Sequence, residues 1–133
     1  MSDPRTAIVR DGIEAFNRGD FVESSRDFSE EMVWDTTGVL PDGGVYRGPA
    51  EIHAYWRDVF QRWDEFRIEV DELLTTEDRV VMLGRLLGKG AGSGVPIESP
   101  WHQVWTFHGE KAARCENFGD RAEALRAAGL SER

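Results

Sequence analysis

The sequence lacks several features that would indicate a particular class of protein. Cys115 is the only cysteine among 133 residues, so no internal disulfide can form. No apolar run approaches the roughly 18 residues that a membrane-spanning helix needs. The first residues show no basic stretch followed by an apolar one, as a signal peptide would. We therefore expect a cytoplasmic protein that does not enter a membrane.

Basic residues and histidines are also scarce. Lysine and arginine total 16 against 25 aspartates and glutamates, which gives a formal net charge of −9. An acidic surface repels phosphate backbones and anionic lipids, so we expect no nucleic-acid partner and no membrane partner. The three histidines do not stand at metal-ligand spacing and there is no cysteine pair, so no metal site is predicted.

Helical patterns dominate the first half of the chain. Val9, Ile13 and Phe16 recur at helical spacing, and Gly19 ends this first helix. Asp20 begins a second, short helix. A third helix opens at Gly48-Pro49 and carries a broad apolar stripe, which consists of Ile52, Tyr55, Trp56, Val59, Phe60 and Trp63.

Strand patterns dominate the second half. The period changes to two at Phe66, and three further strands are predicted at Val80–Leu87, Val95–Phe107 and Lys111–Phe118. An earlier strand, Glu31–Thr36, lies between the second and third helices. Long strands joined by short turns pair antiparallel.

This order of elements predicts one α+β domain over residues 1–133. We expect a cone-shaped α+β barrel, in which three helices from the N-terminal half pack on a strongly curved, mainly antiparallel sheet. A short C-terminal helix begins after Asp120. The aromatic stripe of the third helix would face the sheet, and a cavity left between them is the default ligand site.

Three segments resemble one known superfamily. They are FNRGD at 16–20, YRGPAEI at 46–52 and FGDRAEAL at 118–125. All three resemble the SnoaL-like branch of the nuclear-transport-factor-2-like superfamily. The resemblance implies the cone-shaped fold and a homodimer formed through the sheet face. It implies no single function, because this fold hosts isomerases, cyclases, dehydratases and binding proteins.

Within that superfamily, the ketosteroid isomerases allow a residue-by-residue comparison. The comparison puts Asp35 where those enzymes have their catalytic base. Their oxyanion-hole tyrosine falls on Gly12, and their oxyanion-hole aspartic acid falls on Gln103. Because both of these oxyanion-hole residues are absent, a steroid isomerase is not predicted. Either Tyr46 or Tyr55 could still supply the missing hydroxyl.

Asp35 is the candidate catalytic residue, and two interpretations of it remain open. Beside Val33 and Trp34 at a strand end, its carboxylate would be partly removed from water and would become a stronger base. Alternatively, Asp35 caps the turn at residues 36–38 in solvent.

The candidate ligand-binding residues are mostly aromatic. By strand alternation Gln103 shares a face with Trp101 and Trp105, and Asn117 lies on the next strand. Gln103 would contact a ligand or satisfy a buried backbone group. On the third helix, Tyr55, Trp56 and Phe60 either form core or stack on a flat ligand.

Two functional hypotheses follow. In the first, the protein binds a small apolar or aromatic ligand and, as a cofactor-independent isomerase, cyclase or lyase, moves a proton with Asp35. In the second, it is a non-catalytic, dimeric ligand-binding or scaffold domain. Its interface would be the exposed sheet face that holds His102, Val104 and Thr106.

Overall fold

A computed structural model describes residues 3–90 and 92–131 of the chain. Within these residues the helices are α1 (Pro4–Asn17), α2 (Phe21–Ser24), α3 (Gly48–Arg62) and α4 (Arg121–Ala127). The strands are β1 (Phe28–Gly38), β2 (Val45–Arg47), β3 (Trp63–Thr75), β4 (Arg79–Gly90), β5 (Pro96–Pro100), β6 (His102–His108) and β7 (Lys111–Phe118).

The strands form one sheet in the order β2-β1-β7-β6-β4-β3, with β5 paired to β4. Every pairing is antiparallel except that of β1 with β7, which is parallel. Register shifts in the β1–β7 and β3–β4 pairs mark bulges, which bend strands and increase their twist. The predicted α+β class is confirmed, although the sheet is not closed, because β2 and β3 are its edges.

Local sequence explains where the helices begin and end. Asp3 caps α1 by accepting a hydrogen bond from the backbone N–H of Arg5 at 2.9 Å, and Pro4 occupies the first helical position. Gly19 follows α1 at a φ of 78°, a left-handed conformation that glycine adopts without strain. This turn brings α2 back toward α1, so that Phe21 contacts Phe16 with a ring separation of 6.0 Å.

The sheet has an inner face toward α1 and α3 and an outer face toward α4. The inner face belongs to the larger core cluster, which contains Trp34, Trp56 and Trp105. The outer cluster is smaller and aliphatic, and it consists of Val81, Leu83, Val104, Ala124, Leu125 and Ala128.

Helix α4 corrects the prediction of an exposed sheet face. Val104 is fully buried and His102 is 7% exposed, because α4 packs over this part of the sheet. The Nδ1 atom of His102 accepts a hydrogen bond from the backbone N–H of Gly84 at 3.2 Å. Thr106 is half-buried and only His108 is exposed. The proposed interface at His102 and Val104 is therefore wrong, while the homodimer itself stays a prediction.

Several element boundaries also differ from the sequence prediction. The single strand predicted over Val95–Phe107 is divided at Trp101, because Pro100 lacks the N–H that would continue the ladder. Both halves still pair with β4. Strands β1 and β3 each begin three residues before their predicted starts, and the loop before α3 contains the short strand β2, which was not predicted.

Candidate functional site

A cleft lies between the inner face of the sheet and the helices α1 and α3. The volume of this cavity is about 30 Å³, which has room for about two water molecules. The lining residues are Gly12, Ile13, Phe16, Ser24, Trp34, Tyr55, Trp56, Val59, Phe66, Ile68, Trp101, Gln103 and Trp105.

Apolar atoms make up most of the wall of this cleft. None of the lining residues carries a charged side chain. The rings of Trp34 and Trp56 meet edge to face at 5.1 Å, and those of Trp34 and Trp105 at 5.6 Å. Edge-to-face contact is favourable for aromatic pairs, so these contacts stabilise the orientation of the rings in the wall.

A chain of buried polar groups runs from the cleft to β1. The indole N–H of Trp105 donates to Oε1 of Gln103 at 3.0 Å, and Nε2 of Gln103 donates to Oδ1 of Asn117 at 2.9 Å. The indole N–H of Trp101 donates to the same Asn117 oxygen at 2.9 Å. Nδ2 of Asn117 then donates to the backbone oxygen of Asp35 at 2.9 Å.

These hydrogen-bonded polar groups join strands β1, β6 and β7. Gln103 and Asn117 are directly opposite each other in the β6–β7 pair, and Trp34 on β1 is opposite Cys115 on β7. Gln103 and Asn117 are 2% and 1% exposed. Because buried amides are costly when unpaired, these hydrogen bonds hold the amide groups in fixed orientations.

Tyr55 supplies a second polar group at the cleft. Its ring stacks on that of Tyr46 at 4.1 Å. Burial, with a smaller effect from Tyr46, raises the pKa of Tyr55 to about 12. The hydroxyl therefore remains protonated at neutral pH and can donate a proton in a hydrogen bond.

Asp35 lies on the other face of β1 from Trp34. Its Oδ1 accepts hydrogen bonds from the backbone N–H of Thr37 at 2.8 Å and from the Thr37 hydroxyl at 2.6 Å. Its Oδ2 is 3.4 Å from a guanidinium nitrogen of Arg114 on β7. Asp35 is not among the residues that line the cleft. Its role as a base stays a prediction, and the structure does not bring its carboxylate to the other candidates.

Some of the remaining candidate residues line the cleft, and the others lie behind its wall. Trp56 and Trp101 line the cleft with Gln103, whereas Asn117 lies behind Gln103. Phe60 is core, because its ring packs against Phe16 at 5.1 Å and does not line the cleft. That any of them binds a ligand stays a prediction.

Several wall residues were not predicted from the sequence. Gly12 and Ser24 meet where α1 approaches α2, and the Ser24 hydroxyl donates to the backbone oxygen of Gly12 at 2.7 Å. A Cβ at Gly12 would lie 3.3 Å from the Ser24 backbone oxygen, so glycine permits this approach. Phe66 and Ile68 alternate on β3, and this period-two signal was available in the sequence.

Other reactive side chains lie apart from the cleft. Burial, with a smaller effect from Glu116, raises the pKa of the Cys115 thiol, so Cys115 is a buried apolar residue. In the described part of the chain, no group of three or more His, Cys, Asp or Glu is placed to hold a metal ion. Residues 3–90 and 92–131 also contain no helix that is long and apolar enough to cross a membrane.

The chain belongs to the SnoaL-like domain family, whose sequence profile matches residues 9–115. This confirms the resemblance that the three sequence segments indicated. A comparison with curated proteins finds no match. The family assignment therefore defines a class of domain and no single activity.

Solved structures give the same class. One is an NTF2-like protein of unknown function from Burkholderia pseudomallei K96243, at 27% identity and a TM-score of 0.81, covering 94% of this chain and 97% of that one. Another is a putative SnoaL-like polyketide cyclase from Shewanella denitrificans OS-217, at 17% identity and a TM-score of 0.77, covering 95% and 99%.

A third similar structure contains a ligand. It is a hypothetical protein with a ketosteroid isomerase-like fold from Catenulispora acidiphila DSM 44928, in complex with trimethylamine. It is 15% identical, with a TM-score of 0.76 and coverage of 92% of each chain. At this identity the likeness shows the fold alone.

Proposed function

We propose that the protein binds a small, flat, predominantly apolar ligand in the cleft between α1, α3 and the sheet. The observation that carries the proposal is a cleft lined largely by aromatic rings, with no charged side chain and one oriented amide, that of Gln103. Pockets of this kind gain affinity from apolar contact and specificity from a few polar groups.

The fold supports this general role. SnoaL-like and ketosteroid isomerase-like proteins share the architecture, and one distant relative was crystallised with trimethylamine. The cavity volume of about 30 Å³ is smaller than the volume of a bicyclic molecule, so binding such a ligand would require the aromatic rings or helix α3 to move. Indole and phenyl rings provide large contact areas at a small cost in conformational entropy.

Proton transfer by Asp35 is the further catalytic proposal. It requires the carboxylate to leave Thr37 and Arg114 and to reach the opposite face of β1. Ligand binding requires no such rearrangement, so the geometry supports binding better than acid–base catalysis. The two proposals are separable, because Asp35→Asn would remove proton transfer and leave binding intact.

The binding proposal can be tested with indane, a flat bicyclic hydrocarbon of low polarity. We expect indane to shift the indole N–H resonances of the wall tryptophans in a ¹H–¹⁵N NMR spectrum. Val59→Phe should abolish this shift, because Val59 lines the cleft and a larger ring would fill it. Val22→Phe is the matched control, since Val22 is 78% exposed and does not line the cleft. Equal shifts in both variants would place the ligand elsewhere and overturn the proposal.

A further inference from the structure

Helix α2 borders the cleft but, unlike α1 and α3, it has no buried residue. It is a single turn of four residues, of which Val22 is 78% exposed. Helix α1 has four buried residues, and α3 buries Ile52 and Trp56. An element with few buried apolar groups opens at a low cost in free energy. Movement of α2 therefore disturbs less of the fold than movement of either long helix.

Phe21 of α2 supports rings that line the cleft. Its ring lies 6.0 Å from that of Phe16 and 5.4 Å from that of Trp56, and both of these residues are in the wall. It is also 5.1 Å from the ring of Phe60. If α2 moves outward, these rings lose a neighbour, and the volume that Phe21 occupied becomes part of the cavity. The cavity of about 30 Å³ would then be able to admit a larger molecule.

Two serine hydroxyls connect α2 to the long helices. Ser24 lines the cleft, and its hydroxyl donates to the backbone oxygen of Gly12 on α1 at 2.7 Å. Ser25 directly follows α2, and its Oγ atom is 2.7 Å from Nε2 of His53 on α3. Each connection is a single hydrogen bond between partly buried groups, and such bonds contribute modestly to stability. They can therefore hold α2 in place without preventing it from opening.

The two ends of this segment differ in their freedom to move. Gly19 precedes α2 and has a φ of 78°, and a glycine can absorb a further change in backbone angles without a steric clash of its own side chain. At the other end, the backbone oxygen of Asp27 accepts a hydrogen bond from the N–H of Ala112 on β7 at 2.8 Å. Residues 19–26 therefore lie between a glycine hinge and a point that is fixed to the sheet.

We propose that α2 is a lid, which opens about Gly19 to admit a ligand to the cleft and is held closed by the hydroxyls of Ser24 and Ser25. The ligand itself rests on the proposed function, whereas the lid movement is a property of the unliganded chain. The closed lid accounts for a cavity that is smaller than the ligands the cleft is proposed to bind. Opening removes Phe21 from the rings of the wall and gives them room to move.

The indole N–H of Trp56 reports opening of the lid in the absence of a ligand. Its Nε1 atom is buried and has no hydrogen-bond partner in the part of the chain that the structure describes. Since burial alone protects this N–H, it should exchange with solvent when the lid opens. The indole N–H groups of Trp101 and Trp105 are hydrogen-bonded, so they should stay protected. Hydrogen exchange of these side chains can be followed in ¹H–¹⁵N NMR spectra of the full chain.

Ser25→Ala is the diagnostic variant, because alanine cannot bond to His53. We expect it to speed exchange at Trp56 about fivefold, which is the effect of about one net hydrogen bond on the opening equilibrium. Exchange at the two hydrogen-bonded tryptophans should stay at the wild-type rate. Ser99→Ala is the matched control, since Ser99 is half-buried on β5 and does not line the cleft. This control should leave all three exchange rates unchanged.

Two further variants test the same hydrogen bonds. His53→Ala should also speed exchange at Trp56, and combining it with Ser25→Ala should add little, because both changes remove the same bond. Ser24→Ala removes the bond to Gly12 and should likewise speed exchange at Trp56. Ser24→Ala therefore replaces Ser25→Ala if the latter fails to fold in a thermal unfolding scan.

Indane binding provides a kinetic readout of the same lid. In Ser25→Ala, the association and dissociation rates of indane should rise together, because the lid is closed both before and after binding. The dissociation constant should change less than either rate. Stopped-flow tryptophan fluorescence measures both rates in the wild-type protein, in Ser25→Ala and in the Ser99→Ala control.

The outcomes separate the lid from the proposed binding function. Unchanged exchange at Trp56 in Ser25→Ala and Ser24→Ala would overturn the lid. Equal acceleration at Trp56, Trp101 and Trp105 would also overturn it, because it would indicate general destabilisation. Neither result would affect the proposed binding function. Faster exchange at Trp56 alone, without any binding of indane, would support the lid and count against the proposed function instead.

Discussion

The two faces of the sheet are filled by different kinds of side chain. The inner face meets α1 and α3 through tryptophan and phenylalanine rings, and a cleft remains between them. On the outer face, α4 meets Val81, Leu83 and Val104 through Ala124 and Leu125, and these residues are nearly or fully buried. Rigid rings that meet edge to face leave gaps, whereas short aliphatic side chains interdigitate closely.

This difference indicates that the outer cluster mainly provides stability, whereas the inner face is available for binding. A tightly packed cluster contains no empty space, so truncating one of its side chains removes contacts and leaves a new cavity. Truncating a side chain that already borders the cleft removes fewer contacts and should cost less stability. A ligand can also occupy the empty space of the cleft.

The largest effect is expected at the outer cluster. Leu83→Ala should lower the free energy of unfolding by about 2–5 kcal/mol, since Leu83 is 2% exposed beneath α4. Ile68→Ala, at a residue that lines the cleft, should cost less, because its methyl groups already face open space. Urea denaturation of both variants measures the difference. A larger loss for Ile68→Ala would reverse the comparison.

The next effect compares neighbouring residues of β7 that point to opposite faces. Asn117→Ala should cost about 1–3 kcal/mol, because the indole of Trp101 and the amide of Gln103 lose their shared acceptor. Glu116→Ala is the control and should cost under about 1 kcal/mol, since its ion pair with Arg114 is long and partly exposed. Similar losses in urea denaturation would show that the buried polar chain contributes little.

A smaller effect is expected from pH. Burial, with a smaller contribution from Arg121, lowers the pKa of His102, while Asp120 and Asp71 oppose the shift. Burial and Arg57 likewise lower the pKa of His53. The unfolded chain therefore binds more protons than the folded chain below about pH 6.5.

Stability should accordingly be greatest above that pH and should fall as the pH drops through it. Thermal unfolding between pH 7.5 and 5.5 measures the slope. His102→Gln should make the slope shallower, because glutamine can accept from Gly84 without titrating. An unchanged slope in this variant would assign the effect to His53 or to other groups.

The smallest effect is expected on the outer side of β1. Arg114→Gln should change stability by less than about 1 kcal/mol, because the contact with Asp35 is 3.4 Å long and Arg114 is half-exposed. Asp35 keeps both hydrogen bonds from Thr37. Indane affinity should remain at the wild-type value. A clear loss of affinity would show that this side of the strand communicates with the cleft.

Much of the fold could be predicted from local patterns. Lys111–Phe118 was predicted with the bounds that β7 has, and Gly48-Pro49 correctly opened α3. These elements have strong period or capping signals that depend on few distant contacts. The cover provided by α4 could not be predicted, because its apolar face is largely alanine. The parallel pairing of β1 with β7 also leaves no local signal.

Less of the site than of the fold could be predicted. Met32, Trp34 and Thr36 alternate as buried residues of β1, so the period of two already places Asp35 on the opposite face. The catalytic role that the resemblance to isomerases implies for Asp35 stays a prediction. By contrast, the face shared by Gln103 and Trp105 followed from alternation alone. The hydrogen bonds that join Gln103 to Asn117 and Trp105 depend on distances that no sequence pattern contains.

The parallel contact of β1 with β7 has a consequence for how the protein folds. Asp35 and Asn117 are 82 positions apart, yet the Asn117 amide is bonded to the Asp35 backbone. Closing so long a stretch of chain costs entropy before any contact compensates, so the β3–β4–β6–β7 meander should form first and β1 should dock late. During synthesis, Trp34 leaves the ribosome long before its partner strand exists. We therefore expect the wall of the cleft to be completed late in folding.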